Sequence, residues 1–517
     1  MSDRDRLDAS LRTIAKGAGV SFVGAFIGLG LGYLSRIIIA RWLGAEDYGL
    51  ISLGYAALMI GATLSLVGLP AGIQRYVSFY KGKGDKGRIK GTILGALKIS
   101  VPMSLIVGTI FFFYADWISI NFFHSPELTP ILKIFAIAIP FLVLTDNAIY
   151  ATIGFQNVKY RVYVVDLFQN IFKLLAIVAL LVLGFGVMGA AWGWVLTIVL
   201  TPFLAFYFLE KRVFPIFNTK VKAIFIDREL FTFSWPLIFT TVAGMVMGWM
   251  DTLMIGYFLS ASAVGIYNVA LPTAMLLLVV AKSIGLIFIP VASELYARNK
   301  EQESRGIYTM ITKWVILLTL PGFLLMLLFS ESIIKVMFGV DYVEGAVSMS
   351  ILAFAFFLYA VFGNANAVLQ VYGKTKIIMH CYFIGAGVNF ISNLLLIPIY
   401  GINGAAIATG FSYALMGTLY IFFVWRIANM QPFRLNHIKP IYASIISVLA
   451  VYGITKYFMV SSLPVLIVML FMFFILYFFL LLILKSFEEG DLVILRAIDA
   501  RLGIKSDWLK KIIQRFI

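Results

Sequence analysis

The sequence predicts an all-α polytopic membrane protein with about 14 transmembrane helices. Of its 517 residues, 62% are hydrophobic and only 13% are charged, and the mean hydropathy is +0.97. Because charged residues make up about 25% of ordinary soluble domains, this composition excludes a soluble protein. The net charge of +16 would indicate nucleic-acid binding in a soluble chain. Here the membrane topology explains it, and we expect no nucleic-acid partner.

The candidate membrane spans are windows of about 20 predominantly apolar residues. They fall as two groups of six followed by two more. The spans are 16–40, 48–70, 91–114, 129–153, 162–184, 188–209, 231–257, 265–290, 310–330, 344–369, 377–398, 404–425, 441–460 and 464–484.

The distribution of Lys and Arg between the loops predicts the orientation in the membrane. With a cytoplasmic N-terminus, the inside tails, loops and helix ends hold 32 of these residues. The outside holds only four, which are Arg41, Lys133, Lys335 and Lys456. By the positive-inside rule both termini are cytoplasmic in the cell membrane. Residues 1–15 lack a cleavage site of the A-x-A kind, so we interpret them as a retained cytoplasmic tail.

An internal repeat divides the chain. A shift of 215 residues places Gly91 on Gly306, Lys98 on Lys313, and GFGVMGAA (184–191) on IYGINGAA (399–406). Because six helices are an even number, both copies enter from the same side, which predicts a parallel repeat with its pseudo-twofold axis along the membrane normal. The predicted regions are an N-lobe (16–212), a cytoplasmic linker (213–230), a C-lobe (231–427), two extra C-terminal helices (428–484) and a cytoplasmic amphipathic tail (485–517).

The fifth span carries a polar face. Asp166, Gln169, Asn170 and Lys173 follow one another at i, i+3, i+4 and i+7, which is one face of an α-helix. Lys173 lies about 16 Å from the start of the span, near mid-membrane, where its charge cannot face lipid. We expect this face to line a polar cavity, with a structural ion pair as the alternative for Lys173 and an interfacial position as the alternative for Asp166.

Three further cations lie within spans. Arg36 is in the outer half of the first span, where it could line the cavity or extend to the interface beside Arg41. Lys98 and Lys282 lie in the inner halves of their spans and could reach the inner interface in the same way. Because Lys98 aligns with Lys313, we expect a role shared by both halves, such as packing at the helix ends.

Two further carboxylates lie at membrane depth. Asp146 is flanked by Thr145 and Asn147, which fits either a hydrogen-bonded structural carboxylate or a proton or cation site. Asp251 is too short to reach the interface, so we expect it to meet a cation or the cavity.

The remaining chemistry-bearing residues form no recognisable site. Cys381 is the single cysteine, and the three histidines are far apart, so we expect no disulfide, no metal site and no cofactor. The longest outer loop, Ala115–Leu128, contains 14 residues and no catalytic motif. We find no Walker motif and expect that the protein is not an enzyme.

Three stretches resemble a known family. WLGAEDYGLISL (42–53), GLPAGIQRYVSFYKGKGD (68–85) and WMDTLMIGYFLSASAVGIYNVA (249–270) are similar to signatures of the polysaccharide exporter, or O-antigen (Wzx-type) flippase, branch of the multidrug/oligosaccharidyl-lipid/polysaccharide (MOP) exporter superfamily. The resemblance covers residues 10–430. It implies two six-helix lobes around a central cavity that opens alternately to each side, and transport of a polyprenyl-(pyro)phosphate-linked glycan.

The resemblance also implies roles for residues of the spans. Arg36 and Lys173 become candidate phosphate or sugar contacts, and Asp146 and Asp251 become candidate coupling sites. With the polar face added, the predicted substrate-binding residues are Arg36, Gln169, Asn170, Lys173 and Lys282. The predicted sites of H⁺ or Na⁺ coupling are Asp146, Asp166 and Asp251.

The leading functional hypothesis is therefore a flippase for lipid-linked oligosaccharide or polysaccharide precursors, acting as a monomer among membrane lipids. Four cations against three carboxylates within the spans suit a diphosphate anion. The alternative is an H⁺- or Na⁺-coupled antiporter for organic cations, in which the three carboxylates would form the binding pocket. Lys173 at mid-depth argues against that alternative, because it would repel a cationic substrate.

Overall fold

The computed structural model describes residues 24–298, 300–455, 463–488, 490–492, 510 and 514–515. Within these residues the chain is helical and contains no strand. The predicted N-terminal tail (1–15) and most of the predicted amphipathic tail (485–517) lie outside the described residues. The fold class predicted from composition and hydropathy is confirmed.

We number the main helices in chain order and leave short helical turns unnumbered. They are α1 Gly24–Leu43, α2 Ala45–Leu66, α3 Leu69–Gly82, α4 Lys86–Phe113, α5 Leu128–Gly154, α6 Lys159–Val182, α7 Gly186–Val213, α8 Asp227–Ser234, α9 Leu237–Phe258, α10 Ala261–Ala297, α11 Glu301–Leu328, α12 Ser330–Met337, α13 Gly345–Phe362, α14 Asn364–Val371, α15 Thr375–Ala428, α16 Ile438–Thr455 and α17 Leu463–Ile483.

The number of membrane spans agrees with the prediction. Thirteen helices of the described chain are long and apolar enough to cross a membrane. One of them, α15, has 54 residues and is interrupted at Gly401, whose backbone is non-helical (φ 58°, ψ −138°). A positive φ is readily adopted only by glycine, so this residue allows the chain to change direction. The two parts of α15 correspond to the predicted spans 377–398 and 404–425.

The chain divides into two compact units, one ending at Gly265 (unit 1) and one beginning at Ile266 (unit 2). Helix α9 belongs to unit 1 because it packs on α2. The ring of Trp249 lies 5.4 Å from that of Tyr55, and Gly256 lies against Leu53. The lobe boundaries derived from the repeat, 16–212 and 231–427, stay a prediction.

In unit 1 the linker after α7 lies along α4. The amide of Ile224 donates to the carbonyl of Gly87 at 3.0 Å, and the glycines of α4 leave room for the linker backbone. Three turns further along α4, Lys98 Nζ donates to Asp227 Oδ2 at 3.0 Å. The linker is therefore fixed to the third predicted span by a backbone hydrogen bond and an ion pair.

In unit 2 the segment after α17 is fixed to α11 in a related way. Lys313 Nζ lies 2.6 Å from Asp491 Oδ2, and Trp314 Nε1 donates to Asp491 Oδ1 at 2.7 Å. Lys313 and Asp491 are almost fully buried, beside an apolar core that α11 shares with α16 and α17. Lys98 and Lys313, which the repeat aligns, thus each bind an aspartate from the segment that follows a group of spans.

Candidate functional site

The polar face of α6 lies against a glycine face of α1. Gly24 packs on Val162, Gly28 on Asp166, and Gly32 faces the side chain of Asn170. A Cβ atom added at Gly28 would lie 2.6 Å from the backbone oxygen of Asp166. The backbones of α1 and α6 can approach this closely only because glycine has no side chain. Arg36 lies one turn beyond Gly32 on α1, which places its side chain beside the same face.

The first half of α6 is not regular α-helix. Residues Val162–Gln169 form a π-helix, so the expectation of one uninterrupted α-helical face is wrong for this part. Where the α-helix resumes, the side-chain Nδ2 of Asn170 donates to the backbone carbonyls of Asp166 (3.0 Å) and Val165 (3.3 Å). Its oxygen accepts a hydrogen bond from Lys173 Nζ at 3.1 Å. Asn170 thereby connects the π-helix to the lysine, and π-helical segments are frequent at functional sites.

Helix α7 places an aromatic ring over Lys173. Gly193 allows the backbone of α7 to approach that of Ile177, one turn from Lys173. The next residue, Trp194, has its ring centroid 5.0 Å from Lys173 Nζ, a distance at which the ring attracts the ammonium group. Lys173 therefore has an amide oxygen and an indole ring as partners, which hold the ammonium group in one position.

Two rings contact Trp194, and a third contacts one of these two. Tyr55 lies 4.5 Å from Trp194 between centroids, Trp249 lies 5.4 Å from Tyr55, and Phe135 lies within 6.4 Å of both Tyr55 and Trp194. Phe135 is fully buried, whereas the other three rings are half-buried. We name Tyr55, Phe135, Trp194 and Trp249 the aromatic cluster. Its half-buried members leave ring surface for a ligand.

Charges of both signs act on this region. Arg36 is close enough to repel Lys173, and it also interacts with Tyr55. Asp146 acts on the same tyrosine, from α5. The site thus combines two neighbouring cations with a carboxylate around one aromatic ring.

Arg161 connects the two carboxylates of the site. It lies at the start of α6 and attracts both Asp146 and Asp166. Both of these side chains are half-buried, so neither is sealed from solvent or ligand. A cation or proton arriving at either one would compete with Arg161.

The structure brings together five of the predicted site residues, which are Arg36, Asp146, Asp166, Asn170 and Lys173. Gln169 is half-buried on the same helix. Asp251 lies in α9 of unit 1 and is buried, with 4% of its surface exposed. Lys282 lies in α10 of unit 2 and is exposed.

Sequence reasoning missed Arg161 and the aromatic cluster. Arg161 was counted only as one of the inside cations. It lies five residues before Asp166, which is not the i, i+3 or i, i+4 spacing that indicates an ion pair on an α-helix. The aromatic residues come from four helices, and no spacing within one helix connects them. Within the part of the chain that the structure describes, no cluster of three or more His, Cys, Asp or Glu residues could hold a metal ion.

Two models of known protein families match the sequence. The family model described as polysaccharide biosynthesis protein matches residues 14–296, more than half of the sequence. The chain belongs to this polysaccharide biosynthesis protein family. A second model, MatE, matches residues 236–395 of this family member. The predicted membership of the MOP exporter superfamily is confirmed.

Individual relatives of this polysaccharide biosynthesis family member span most of its length. An uncharacterized membrane protein of Methanocaldococcus jannaschii, MJ1068, is 27% identical over 463 residues, covering 84% of this chain and 89% of the relative. The probable low-salt glycan biosynthesis flippase Agl15 of Haloferax volcanii is 26% identical over 404 residues, covering 77% and 81%.

A solved structure of the lipid II flippase MurJ in an inward closed conformation is similar in fold, with a TM-score of 0.72. The superposition covers 91% of this chain and 99% of the MurJ chain, at 16% sequence identity.

Proposed function

We propose that this protein is a flippase that moves a lipid-linked oligosaccharide or polysaccharide precursor across the cell membrane, by alternating access between two lobes. One observation carries the proposal: within the membrane spans Lys173 lies 5.0 Å from the half-buried ring of Trp194, and the charge of Arg36 acts on it. The flippase named among the relatives, and the lipid II flippase that shares the fold, support the same function.

The two cations suit a diphosphate group. Lys173 and Arg36 repel each other in a region with little water, and an anion between them converts that repulsion into attraction. Asn170 and Trp194 hold Lys173 in place, so little conformational entropy is lost when the phosphate binds. The substrate's lipid chain remains in the bilayer, because only its charged head group needs a polar path.

The aromatic cluster suits the sugars next to the diphosphate. Trp194 offers a half-buried ring 5.0 Å from Lys173 Nζ. The half-buried rings of Tyr55 and Trp249 follow it, with Tyr55 4.5 Å from Trp194 and Trp249 5.4 Å from Tyr55 between centroids. Sugar rings present apolar C–H faces that pack on such surfaces, while the tyrosine and tryptophan polar atoms donate hydrogen bonds. Because ring faces discriminate little between sugars, this arrangement fits a protein that reads mainly the phosphate and the first sugar.

The carboxylates provide a route for ion coupling. Asp146 and Arg36 act on the same tyrosine, so an H⁺ or Na⁺ bound at Asp146 changes the field at the phosphate site. By linkage, phosphate binding then changes the affinity of Asp146 for the ion by the same factor. Asp166 shares Arg161 with Asp146 and would take part in the same step, and Asp251 remains a further coupling candidate.

A second candidate function is export of organic cations, which the MatE match over residues 236–395 favours. Such a substrate would have to bind beside Lys173 and Arg36, and both would repel it. The flippase therefore fits the charges of the site better.

The test is the export of lipid-linked glycan in cells depleted of the protein and rescued with variants. Lys173→Ala should lower export at least about tenfold, because one ammonium–phosphate interaction contributes about 1.5–3 kcal/mol. Lys98→Ala is the matched control, since Lys98 is also a lysine of a membrane helix but is exposed and paired with Asp227.

Unchanged export by Lys173→Ala would refute the role of the cation pair. If depletion leaves the glycan distribution unchanged and instead raises sensitivity to organic cations, the antiporter replaces the flippase.

A further inference from the structure

Unit 2 contains a group of four tyrosines that the proposed phosphate site does not use. Tyr359 lies in α13, and Tyr382, Tyr413 and Tyr420 lie in the two parts of α15. The ring centroids of Tyr359 and Tyr413 are 4.8 Å apart, with the rings edge to face. Tyr359, Tyr382 and Tyr413 all act electrostatically on Tyr420, and Tyr382 also acts on Tyr359. We name these four residues the tyrosine cluster.

The tyrosine cluster lies opposite the exposed apolar sides of its helices. Tyr420 is two residues from Phe422, and Tyr382 is nine residues from Ile391. These intervals correspond to about 200° and about 180° around an α-helix, so each pair lies on opposite sides. Phe422 is 44% exposed and Ile391 is 57% exposed, which marks the sides that face lipid. Tyr413 shares the side of Tyr420, seven residues away, so the cluster faces the interior of unit 2.

Three of the four tyrosines keep accessible surface. Tyr359, Tyr382 and Tyr413 are half-buried, whereas Tyr420 is fully buried and cannot reach a ligand. Within the residues that the structure describes, the hydroxyls of Tyr359 and Tyr382 form no hydrogen bond. A phenol hydroxyl partly withdrawn from water is stabilised by a partner that both donates and accepts. The half-buried tyrosines therefore offer ring faces and hydrogen-bonding capacity to a ligand.

No charge accompanies the tyrosine cluster within the spans of α13 and α15. In residues 345–425 the only charged side chains are Lys374 and Lys376, which lie where α15 begins. The repeat shift of 215 places residues 166–173, the polar face of α6, on residues 381–388. This stretch of α15 contains a tyrosine and no charged residue. Where α6 carries the charges of the phosphate site, its counterpart in unit 2 is thus neutral.

These features select a neutral ligand rich in hydroxyl groups. A hydrocarbon chain would leave the tyrosine hydroxyls without partners in a region with little water. An organic cation would be attracted by the rings, but these spans offer no carboxylate to balance its charge. A sugar meets both requirements, because its C–H face packs on aromatic rings while its hydroxyls donate and accept hydrogen bonds.

We infer that the tyrosine cluster of unit 2 binds an uncharged sugar residue of the transported glycan. The rings of Tyr359 and Tyr413 pack on its C–H face, and the hydroxyls of Tyr359 and Tyr382 form hydrogen bonds with it. The inference rests on the proposed function, which supplies the glycan. It assigns different parts of the substrate to the two units: the charged groups of unit 1 bind the diphosphate, and the neutral cluster of unit 2 recognises a sugar.

The test compares two probes by their affinity for the full-length protein in detergent. One is geranylgeranyl diphosphate, and the other is the same diphosphate carrying a neutral tetrasaccharide of N-acetylglucosamine. We expect the wild type to bind the conjugate about tenfold more tightly, because it adds hydrogen bonds and ring contacts. The double variant Tyr359→Phe/Tyr382→Phe removes two hydroxyls and keeps the rings. It should lose most of this tenfold gain and bind the bare diphosphate as the wild type does.

Tyr400→Phe is the matched control, since Tyr400 belongs to α15 but is 57% exposed and lies outside the cluster. It should bind both probes as the wild type does. Equal binding of the two probes by the wild type, or an undiminished gain in the double variant, would overturn the inference. Tetraphenylphosphonium that competes with the conjugate in the wild type, and not in the double variant, would also overturn it, by making the cluster a site for organic cations.

Lys173→Ala separates this inference from the proposed function. It should weaken the binding of both probes by the same factor, because both carry the diphosphate. If it weakens neither, the proposed phosphate site is refuted. The gain from the sugars and its loss in the tyrosine double variant then still decide whether unit 2 binds carbohydrate.

Discussion

Gly28 marks the closest approach between α1 and the polar face of α6. A Cβ atom there would meet the backbone of Asp166 at 2.6 Å, and backbone cannot rotate away as a side chain can. We predict that Gly28→Ala lowers the free energy of unfolding by about 1–3 kcal/mol, the usual cost of overpacking. The measurement is the thermal unfolding temperature of the purified protein in detergent.

Gly30 on the same helix is the control for that change. It is exposed, and no atom lies within 4 Å of the Cβ that alanine would add. Gly30→Ala should leave the unfolding temperature unchanged or raise it, because alanine favours the helix by up to about 1 kcal/mol. If both variants have the same unfolding temperature, Gly28 is not required for the close packing of α1 on α6.

At the scale of single residues, the sequence predicted part of the site. The spacing of Asp166, Asn170 and Lys173 predicted that they share one side of α6. Because a charge at membrane depth must avoid lipid, that side was predicted to face protein or a cavity. The partners of these residues could not be predicted in the same way. Trp194 and Arg36 come from other helices, and periodicity along one helix carries no information about which neighbour it faces.

At the scale of helices and connecting segments, the two aligned lysines make contrasting ion pairs. Lys313 and Asp491 are buried, with side chains 4% and 1% exposed, whereas Lys98 and Asp227 are 67% and 32% exposed. We predict that Asp491→Asn destabilises the protein by about 3–5 kcal/mol. The buried ammonium group of Lys313 loses the carboxylate at 2.6 Å and keeps only that of Glu488, at 3.6 Å. Thermal unfolding in detergent measures the effect.

Asp227→Asn provides the matched comparison within the same chain. Its pair with Lys98 is exposed to solvent or head groups, so its loss should cost at most about 1 kcal/mol. A small effect of Asp491→Asn, equal to that of Asp227→Asn, would show that the segment after α17 is not held by its buried charge.

The irregular elements were the least predictable. Hydrophobic periodicity assumes a constant number of residues per turn, so it could not indicate that Val162–Gln169 forms a π-helix. The interruption of α15 was found because Gly401 separates two apolar windows that are each long enough to span a membrane. The length needed to cross the bilayer therefore predicted where α15 is interrupted, whereas hydrophobic periodicity did not predict the π-helix.

At the scale of the whole molecule, composition and span length predicted the fold class and the number of spans. The boundary between compact units was harder to predict. The repeat begins its second copy at residue 231, yet the first unit extends to Gly265, since α9 packs on α2 through Tyr55 and Trp249. A sequence repeat shows which segments correspond to each other, but it does not show which helices pack together across the boundary between the two copies.

The orientation of the molecule in the membrane gives the last prediction. In a Cys381→Ser background, cysteine is introduced at Glu127, before α5, or at Lys220, in the linker before α8, and both positions are exposed. The excess of Lys and Arg on one side places position 127 outside and position 220 in the cytoplasm. A membrane-impermeant maleimide should therefore label the cysteine at 127 in intact cells, and the one at 220 only after permeabilisation. The reverse pattern would invert the predicted topology, because the linker and the loop before α5 were placed by the same count of Lys and Arg.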